Sequence, residues 1–165
     1  MSPKIVELDG FTLIGIEART SNRNSKSNQV SGRAVISEQW EKFFQEGIFD
    51  RVPNKLDATI YALYTDYDSN RDGEYSLVIG ARTSAAALAP PGMVKKSVPP
   101  GKYAVLTSAK GPVAKVVPEA WKQIWNLEDN SGLGGPRTYR ADFEVYGSPS
   151  RDPKNAEVDL YIGIR

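Results

Sequence analysis

The sequence predicts an α+β domain: a tandem β-α-β-β repeat with pseudo-two-fold symmetry, in which an antiparallel sheet carries two main helices. Three observations predict it. Residues 58–82 align without a gap with residues 141–165 at a constant offset of 83, with six identical pairs. Upstream of each segment, aromatic residues recur at the three- and four-residue spacing of an amphipathic helix. Further upstream, each half has a segment rich in strand-forming residues. A repeat of this kind indicates two structural units of the same design.

The first half is predicted to run strand, helix, strand, strand. Residues 11–18 are rich in β-formers and predict the first strand. Residues 58–65 and 75–83 predict a hairpin, for which Asp72-Gly73 supplies a turn. Between the first strand and the hairpin, an apolar stripe predicts an amphipathic helix. Its members are Trp40, Phe43, Phe44 and Ile48.

The second half repeats this order. Residues 102–108 predict its first strand, and residues 141–147 and 158–165 predict its closing pair. Pro118 interrupts the helical pattern between them, and we expect it in the first turn, where a missing N–H costs nothing. The apolar stripe of this helix consists of Val117, Trp121, Ile124 and Trp125.

The chain is predicted to be one domain over residues 1–165, with repeat 1 at about 1–84 and repeat 2 at about 94–165. The linker, at about residues 85–93, belongs to a small, Pro-rich stretch over 84–100 that we interpret as the connection between the halves. Residues 22–31 and 129–136 are polar and predict loops. Two halves that share a sheet leave a crevice at their junction, which is a common place for a ligand.

Charge and composition exclude several classes of function. The chain of 165 residues has 21 Lys and Arg against 20 Asp and Glu, a formal net charge of +1. Because nucleic-acid binding needs a basic excess, we expect no direct DNA binding. The chain has no Cys and no His, which excludes a thiolate nucleophile, a Ser-His-Asp triad and a zinc hydrolase site. Any catalysis would have to use Asp, Glu, Tyr, Lys or bound water.

We expect a cytoplasmic protein without a membrane segment, a metal or another cofactor. The N-terminal ten residues lack the apolar core of a signal peptide, and the small-apolar stretch 85–89 ends at Pro90-Pro91. The segment from Asp68 to Gly73 matches the first half of a calcium loop, but Ile79 stands where the bidentate Glu is needed. A hairpin turn accounts better for this segment.

Glu144 is the leading candidate for a binding residue. It lies in the middle of a predicted strand, where alternation puts Asp142, Glu144 and Tyr146 on one face and the intervening residues on the other. The repeat aligns Glu144 with Tyr61. A partly buried carboxylate beside aromatic rings suits a lipophilic cation, because the charge is compensated and the ring faces attract it. The competing interpretation is a solvated Glu on a surface strand, which is common.

Aromatic residues are the other candidates for the site: Trp40, Phe44, Trp121 and Trp125 on the helices, and Tyr61, Tyr64, Tyr146 and Tyr161 on the strands. Of these, Tyr61, Tyr146, Trp121 and Trp125 are the predicted lining residues. The competing interpretation for each is core packing, and the Trp pair could simply anchor its helix to the sheet. The pattern leaves open which face of the sheet the helices cover, since both faces of the closing hairpins carry apolar residues.

These features resemble the GyrI-like domain, the effector-binding domain of AraC- and MerR-type multidrug-sensing regulators. The resemblance rests on the tandem repeat, the aromatic second helix, the Phe-Glu-Val-Tyr strand at 143–146 and the closing Asp-Leu-Tyr-Ile-Gly-Ile strand at 159–164. It implies a cleft with an acidic residue at its base that recognises cationic aromatic compounds, and Glu144 matches that position. The repeat uses the whole chain, which implies a free-standing member.

The main functional hypothesis is therefore a binding module for small, lipophilic, cationic aromatic compounds. Two alternatives stay open at this level. One branch of the family looks enzymatic, which would make the chain a hydrolase of cyclopropane-type toxins that uses water activated by Glu144. The other alternative is an interaction module of the gyrase-inhibitor type, acting on a topoisomerase or a transcription regulator.

Overall fold

An eight-stranded antiparallel sheet forms the centre of the protein in the computed structural model, which describes residues 3–21, 32–148 and 152–165. The loop predicted over residues 22–31 lies outside these ranges, and so does Pro149, which with Pro153 interrupts the sequence of the second predicted hairpin. The strands are β1 (Lys4–Leu8), β2 (Phe11–Ser21), β3 (Lys55–Thr65), β4 (Glu74–Thr83), β5 (Val94–Val98), β6 (Gly101–Thr107), β7 (Arg137–Tyr146) and β8 (Asp159–Ile164). The helices are α1 (Gly32–Gln45), the short α2 (Ile48–Arg51) and α3 (Val113–Asp129).

The order of the strands is symmetric about the centre of the sheet. The order is β1-β6-β8-β7-β3-β4-β2-β5, and its centre lies between β7 and β3. Counted outward from this centre, β3, β4 and β2 on one side correspond to β7, β8 and β6 on the other. Every neighbouring pair is antiparallel. The predicted fold class, α+β with one antiparallel sheet and two main helices, is confirmed.

The two outer strands were not predicted. The connection expected over residues 84–100 contains β5, so it is not a simple linker, and β1 precedes the first predicted strand. These strands join the halves, because β1 from the start of the chain pairs with β6, whereas β5 from the start of the second half pairs with β2. Each half thus completes the sheet edge of the other, and the two Lys residues in the middle of β5 suit an edge strand.

The strands of the two hairpins correspond to each other at two different sequence offsets. In the first hairpin Ala62 pairs with Ile79, and in the second Asp142 pairs with Ile162. Ile79 and Ile162 keep the predicted offset of 83, but their partners Ala62 and Asp142 are 80 residues apart. The gap-free alignment is therefore wrong in β3 and β7, because the second hairpin is longer. An odd slip in a strand turns each side chain to the other face of the sheet.

Both main helices lie on one face of the sheet, the face that carries Glu144. Phe43 of α1 packs with side chains of β2, β3 and β4, and Ile124 of α3 packs with those of β6 and β8. Trp121 and Tyr146 touch both of these clusters, which places them where the halves meet. The opposite face has its own apolar cluster of strand residues, in which the rings of Phe143 and Tyr161 stack at 4.6 Å.

Three helical predictions need correction. Phe44 is 64% exposed, because its neighbour Phe43 fills the core position and Phe44 stacks on Trp40. Ile48 belongs to α2, since the left-handed Gly47 (φ 59°) separates the two helices. Pro118 lies in the second turn of α3, which begins at Val113, and not in its first turn.

Within the described ranges, no helix combines the length and the apolarity needed to cross a bilayer.

Candidate functional site

Glu144 is buried on β7 and is surrounded by aromatic hydrogen-bond donors. Only 1% of the residue is exposed. Tyr64 donates its hydroxyl to Oε2 at 2.8 Å, and the indole Nε1 of Trp121 donates to the same oxygen at 2.7 Å. The Tyr146 hydroxyl donates to Oε1 at 2.6 Å. Both oxygens of the carboxylate are thus bound by neutral groups that lie close to the ordinary hydrogen-bond distance.

Three elements bring these donors together. Strand β7 supplies Tyr146 two residues beyond Glu144, on the same face of the sheet. The neighbouring strand β3 supplies Tyr64, which is diagonal to Glu144 because Ala62 is its direct partner. Helix α3 supplies Trp121 from above, where its indole ring also packs edge-on against the Tyr64 ring at 5.2 Å.

The charge of Glu144 has no cationic partner. Among the residues that the structure describes, no Lys or Arg forms an ion pair with it. Burial raises the pKa of Glu144 above its usual 4.5, although the hydrogen bonds from Tyr146, Trp121 and Tyr64 oppose the rise. The same burial, together with the Glu144 charge, raises the pKa values of Tyr64 and Tyr146, so both remain phenol donors.

Asp142, two residues before Glu144, is also buried, but it has a cationic partner. Arg137 Nη2 lies 2.6 Å from its Oδ2, Tyr67 donates to the same oxygen, and the Gly163 N–H donates to Oδ1 at 2.8 Å. Burial and the Asp142 carboxylate act on Arg137 in opposite senses, and its pKa is raised overall. Two neighbouring carboxylates on one face therefore differ: one is compensated by a guanidinium and the other is not.

A cavity of about 220 Å³ lies against the aromatic rings that surround Glu144. Tyr64 and Trp121 line it and also hold the carboxylate, so the charge lies directly behind the cavity wall. The lining is mainly aromatic and apolar with three cations at its border: Ser21, Ile36, Tyr64, Tyr67, Arg71, Tyr75, Val117, Pro118, Trp121, Lys122, Trp125 and Arg137.

The structure brings most of the predicted site residues together. Trp121 and Tyr146 bind Glu144 directly, and Trp125 lines the cavity beside Trp121, with 6.4 Å between the ring centroids. Tyr61 is misplaced in the prediction. It lies in the apolar cluster on the opposite face and pairs with Val145, because the repeat alignment was shifted in this strand.

Four further residues were not chosen as site residues from the sequence, although Tyr64 was among the aromatic candidates. Tyr64 takes the position that Tyr61 was expected to fill, and Tyr67 and Tyr75 line the same cavity. Arg137 was not among the candidates, yet only 2% of its side chain is exposed. Asp142 was the signal in the sequence that could have found Arg137. Strand alternation places Asp142 on the same face as Glu144, and a carboxylate buried there calls for a cationic partner.

The described residues contain no group of three or more acidic side chains placed to hold a metal ion.

A symmetric antiparallel sheet with helices on one face and an acidic residue among aromatic rings defines a GyrI-like effector-binding domain. The chain belongs to the family of integron-associated effector binding proteins, Cass2, whose family model matches residues 4–164.

Known relatives span nearly the whole chain. YobU of Bacillus subtilis (strain 168), a protein named for transcriptional regulation, is 29% identical over 162 residues, which are 98% of this chain and 96% of YobU. The integron cassette protein VCH_CASS2 from the mobile metagenome of Vibrio cholerae is 27% identical with a TM-score of 0.74, over 100% of this chain and 97% of that one. SAV2435 shares the fold, with a TM-score of 0.75 and 19% identity over 100% and 94% of the two chains.

Proposed function

We propose that this protein binds small, lipophilic, aromatic cations in the cavity between α3 and the sheet, with Glu144 as the counter-charge. The observation that carries the proposal is the Glu144 carboxylate itself, which is 1% exposed and which, among the described residues, is held by the neutral donors of Tyr64, Trp121 and Tyr146 without a cation. A buried charge normally has an ionic partner, and a cationic ligand would supply the missing one.

The rings around the carboxylate favour the same class of ligand. Trp121, Trp125, Tyr64 and Tyr75 offer π faces or edges to the cavity, and a cation over such a ring gains about 0.5–2 kcal/mol. They also exclude water, which strengthens the attraction between the ligand and Glu144. Neutral aromatic compounds would gain only the packing, so the proposal predicts discrimination by charge.

Access to the carboxylate requires a side-chain movement. Because Tyr64 and Trp121 stand between the cavity and Glu144, a bound cation approaches Oε2 when one of these rings turns aside. The hydrogen bond that is lost is neutral, and the ion pair that replaces it is charge-assisted and stronger. Ligand entry is thus coupled to a rearrangement of the aromatic wall. The fold relative SAV2435 has been seen bound to tetraphenylphosphonium, a lipophilic aromatic cation, which supports this choice of ligand class.

A matched ligand pair tests the proposal. The cation 1-methylquinolinium and the neutral 1-methylnaphthalene have nearly the same shape, and their affinities are measured by Trp fluorescence quenching and by thermal shift. We expect the wild type to prefer the cation and Glu144→Gln to weaken cation binding by roughly 10-fold or more, with neutral binding nearly unchanged. Glu17→Gln is the matched control, because Glu17 of β2 pairs with Lys96 of β5 and neither residue lines the cavity. Equal binding of the cation by wild type and Glu144→Gln contradicts the assignment.

The two alternative functions stay predictions with their own tests. A hydrolase would convert a cyclopropane-containing electrophile to its hydrated product with turnover, and Glu144→Gln would abolish this. An interaction module would retain a topoisomerase or a transcription regulator in a pull-down without any added ligand.

A further inference from the structure

Building on the proposed function, we infer that the ligand carries, besides its positive charge, a neutral hydrogen-bond acceptor that binds the Nε–H of Arg137. The cavity then recognises two groups of one ligand. The cation binds at the Glu144 end, and a carbonyl, ether or similar oxygen binds at the Arg137 end.

An unused donor on a residue that lines the cavity is the starting point. Arg137 lines the cavity and its side chain is 2% exposed, yet its Nε has no acceptor among the residues that the structure describes. Three other buried polar atoms in these residues also lack a partner, and they belong to Gln39, Arg82 and Thr83, none of which lines the cavity. A buried donor without an acceptor is costly, so a ligand oxygen placed there gains more than a solvent-exposed hydrogen bond would give.

The guanidinium is held in place before any ligand arrives. Its Nη2 binds Asp142 at 2.6 Å and its Nη1 lies 3.4 Å from Glu128. The rings of Tyr139, at 4.3 Å, and Trp121, at 6.0 Å, flank it. Because these contacts use the outer nitrogens, the Nε–H is the donor of the group left for a ligand. Nε is shielded from the cavity, so a ligand oxygen reaches it when the Trp121 ring beside the guanidinium turns aside, as ligand entry in the proposed function allows. A donor fixed in this way loses little entropy on binding.

The charges around the cavity argue for a neutral acceptor and against an anionic one. Three cationic side chains line the cavity, and four carboxylates bind to lining residues. The balance is one negative charge when Glu144 is ionised, which a single positive charge on the ligand cancels. A carboxylate or phosphate on the ligand would have to share the Arg137 guanidinium with Asp142 and Glu128. No positive charge would then be left to pair with the ligand anion. The cations are Arg71, Lys122 and Arg137, and the carboxylates are Glu128, Asp129, Asp142 and Glu144.

The size of the cavity limits the ligand further. About 220 Å³ lies below the usual range for drug-sized ligands, so a ligand of one or two rings with short substituents matches its volume. The inference therefore names a compact aromatic monocation with one neutral oxygen acceptor.

Two probes of nearly equal shape test this. The ions (4-acetylphenyl)trimethylammonium and (4-isopropylphenyl)trimethylammonium differ in one carbonyl oxygen, and their 3-substituted isomers vary its position. Dissociation constants are measured by calorimetry for the wild type, for Arg137→Lys and for Arg82→Lys. Arg137→Lys keeps the positive charge beside Asp142 and removes the Nε–H donor. Arg82→Lys is the matched control, because Arg82 also has an unpaired Nε but lies over the Phe11 ring on the opposite face.

We expect Arg137→Lys to weaken at least one acetyl isomer by roughly 10-fold and both isopropyl probes by less than about two-fold, with no such split in Arg82→Lys. Equal losses for acetyl and isopropyl probes, in a protein whose cation binding still depends on Glu144, overturn the acceptor site and leave the proposed function standing. No binding of any of the four cations overturns both. If Arg137→Lys fails to fold, the carbonyl stretch of the ¹³C-labelled acetyl probe is read on the wild type. The bound band is compared with that of the same probe in an aprotic solvent: a lower frequency in the protein supports the hydrogen bond, and a band at the aprotic position overturns it.

Discussion

Tyr64 on β3 donates a hydrogen bond of 2.8 Å to Glu144 on β7, and the strand pairings place these two residues at equivalent positions of the two hairpins. The symmetric fold therefore brings a phenol from one half and a carboxylate from the other to the same point beside its axis. The site itself is asymmetric, because one half supplies the charge and the other supplies a ring and a donor. The symmetric strand order thus places an asymmetric polar centre where the two halves meet.

Loss of the Tyr64 hydroxyl tests this relationship directly. In Tyr64→Phe the buried carboxylate loses one of its three donors, so we expect the free energy of unfolding to fall by about 1–3 kcal/mol. Tyr61→Phe is the matched control on the opposite face, where the hydroxyl contacts the partly exposed Asp57 at 3.3 Å, and it should cost less than about 1 kcal/mol. Urea denaturation of both variants gives the comparison. A Tyr64 effect no larger than the Tyr61 effect would show that the hydrogen bond contributes little.

The folded protein should become less stable as pH rises, because of Glu144. Its pKa is raised in the folded protein, so above the usual 4.5 the unfolded chain gives up this proton first and the folded state binds more protons than the unfolded one. The contribution of Glu144 is therefore most favourable at low pH and declines, by at most about 1.4 kcal/mol per pH unit, until the folded-state pKa is passed. Glu144→Gln lacks this decline. Denaturation curves of the two proteins between acidic and neutral pH measure the difference, and parallel pH profiles would contradict a raised pKa.

Ligand binding should show the opposite dependence on pH. A cation that pairs with Glu144 favours its ionised form, whereas burial opposes ionisation in the free protein. Binding near the folded-state pKa therefore releases a fraction of a proton, and the affinity rises as pH increases up to that pKa. Calorimetry of 1-methylquinolinium in two buffers of different ionisation enthalpy counts the released protons. The same titration of Glu144→Gln, provided that binding persists, should show no release from this site, and equal release would place the proton elsewhere.

The sequence was a good guide to the order of elements and a poorer one to register. Helical stripes and strand composition are local signals, so the strand-helix-hairpin order of each half could be read from them. The exact pairing of β3 with β4 depends on hairpin length, which a repeat with few identities does not determine, and the shift by three residues exchanged Tyr64 for Tyr61. The strand β5 was missed because edge strands carry Lys and Pro neighbours that resemble a linker.

Within the site, residue type located the charge but not its partners. A carboxylate in the middle of an apolar strand singled out Glu144 from local sequence alone. Arg137 escaped notice because its connection to Asp142 runs across an irregular stretch of β7, in which Tyr139 adopts a positive φ of 53°. Strand alternation does not hold through such a stretch, so the direction of the Arg137 side chain was not readable from its position.

The two buried carboxylates of β7 should respond differently to neutralisation. Asp142→Asn leaves the buried guanidinium of Arg137 without its closest counter-charge, and breaking such a pair costs about 3–5 kcal/mol. Glu144→Gln removes a buried charge that has no cationic partner, so relief from desolvation offsets the weakened hydrogen bonds and the net change at neutral pH should stay within about 1–2 kcal/mol. Chemical denaturation at pH 7 compares them, and the double variant shows whether the two effects add. If Glu144→Gln proves as damaging as Asp142→Asn, the carboxylate of Glu144 is a structural requirement of the fold, and its neutral surroundings are no longer an argument for a cationic ligand.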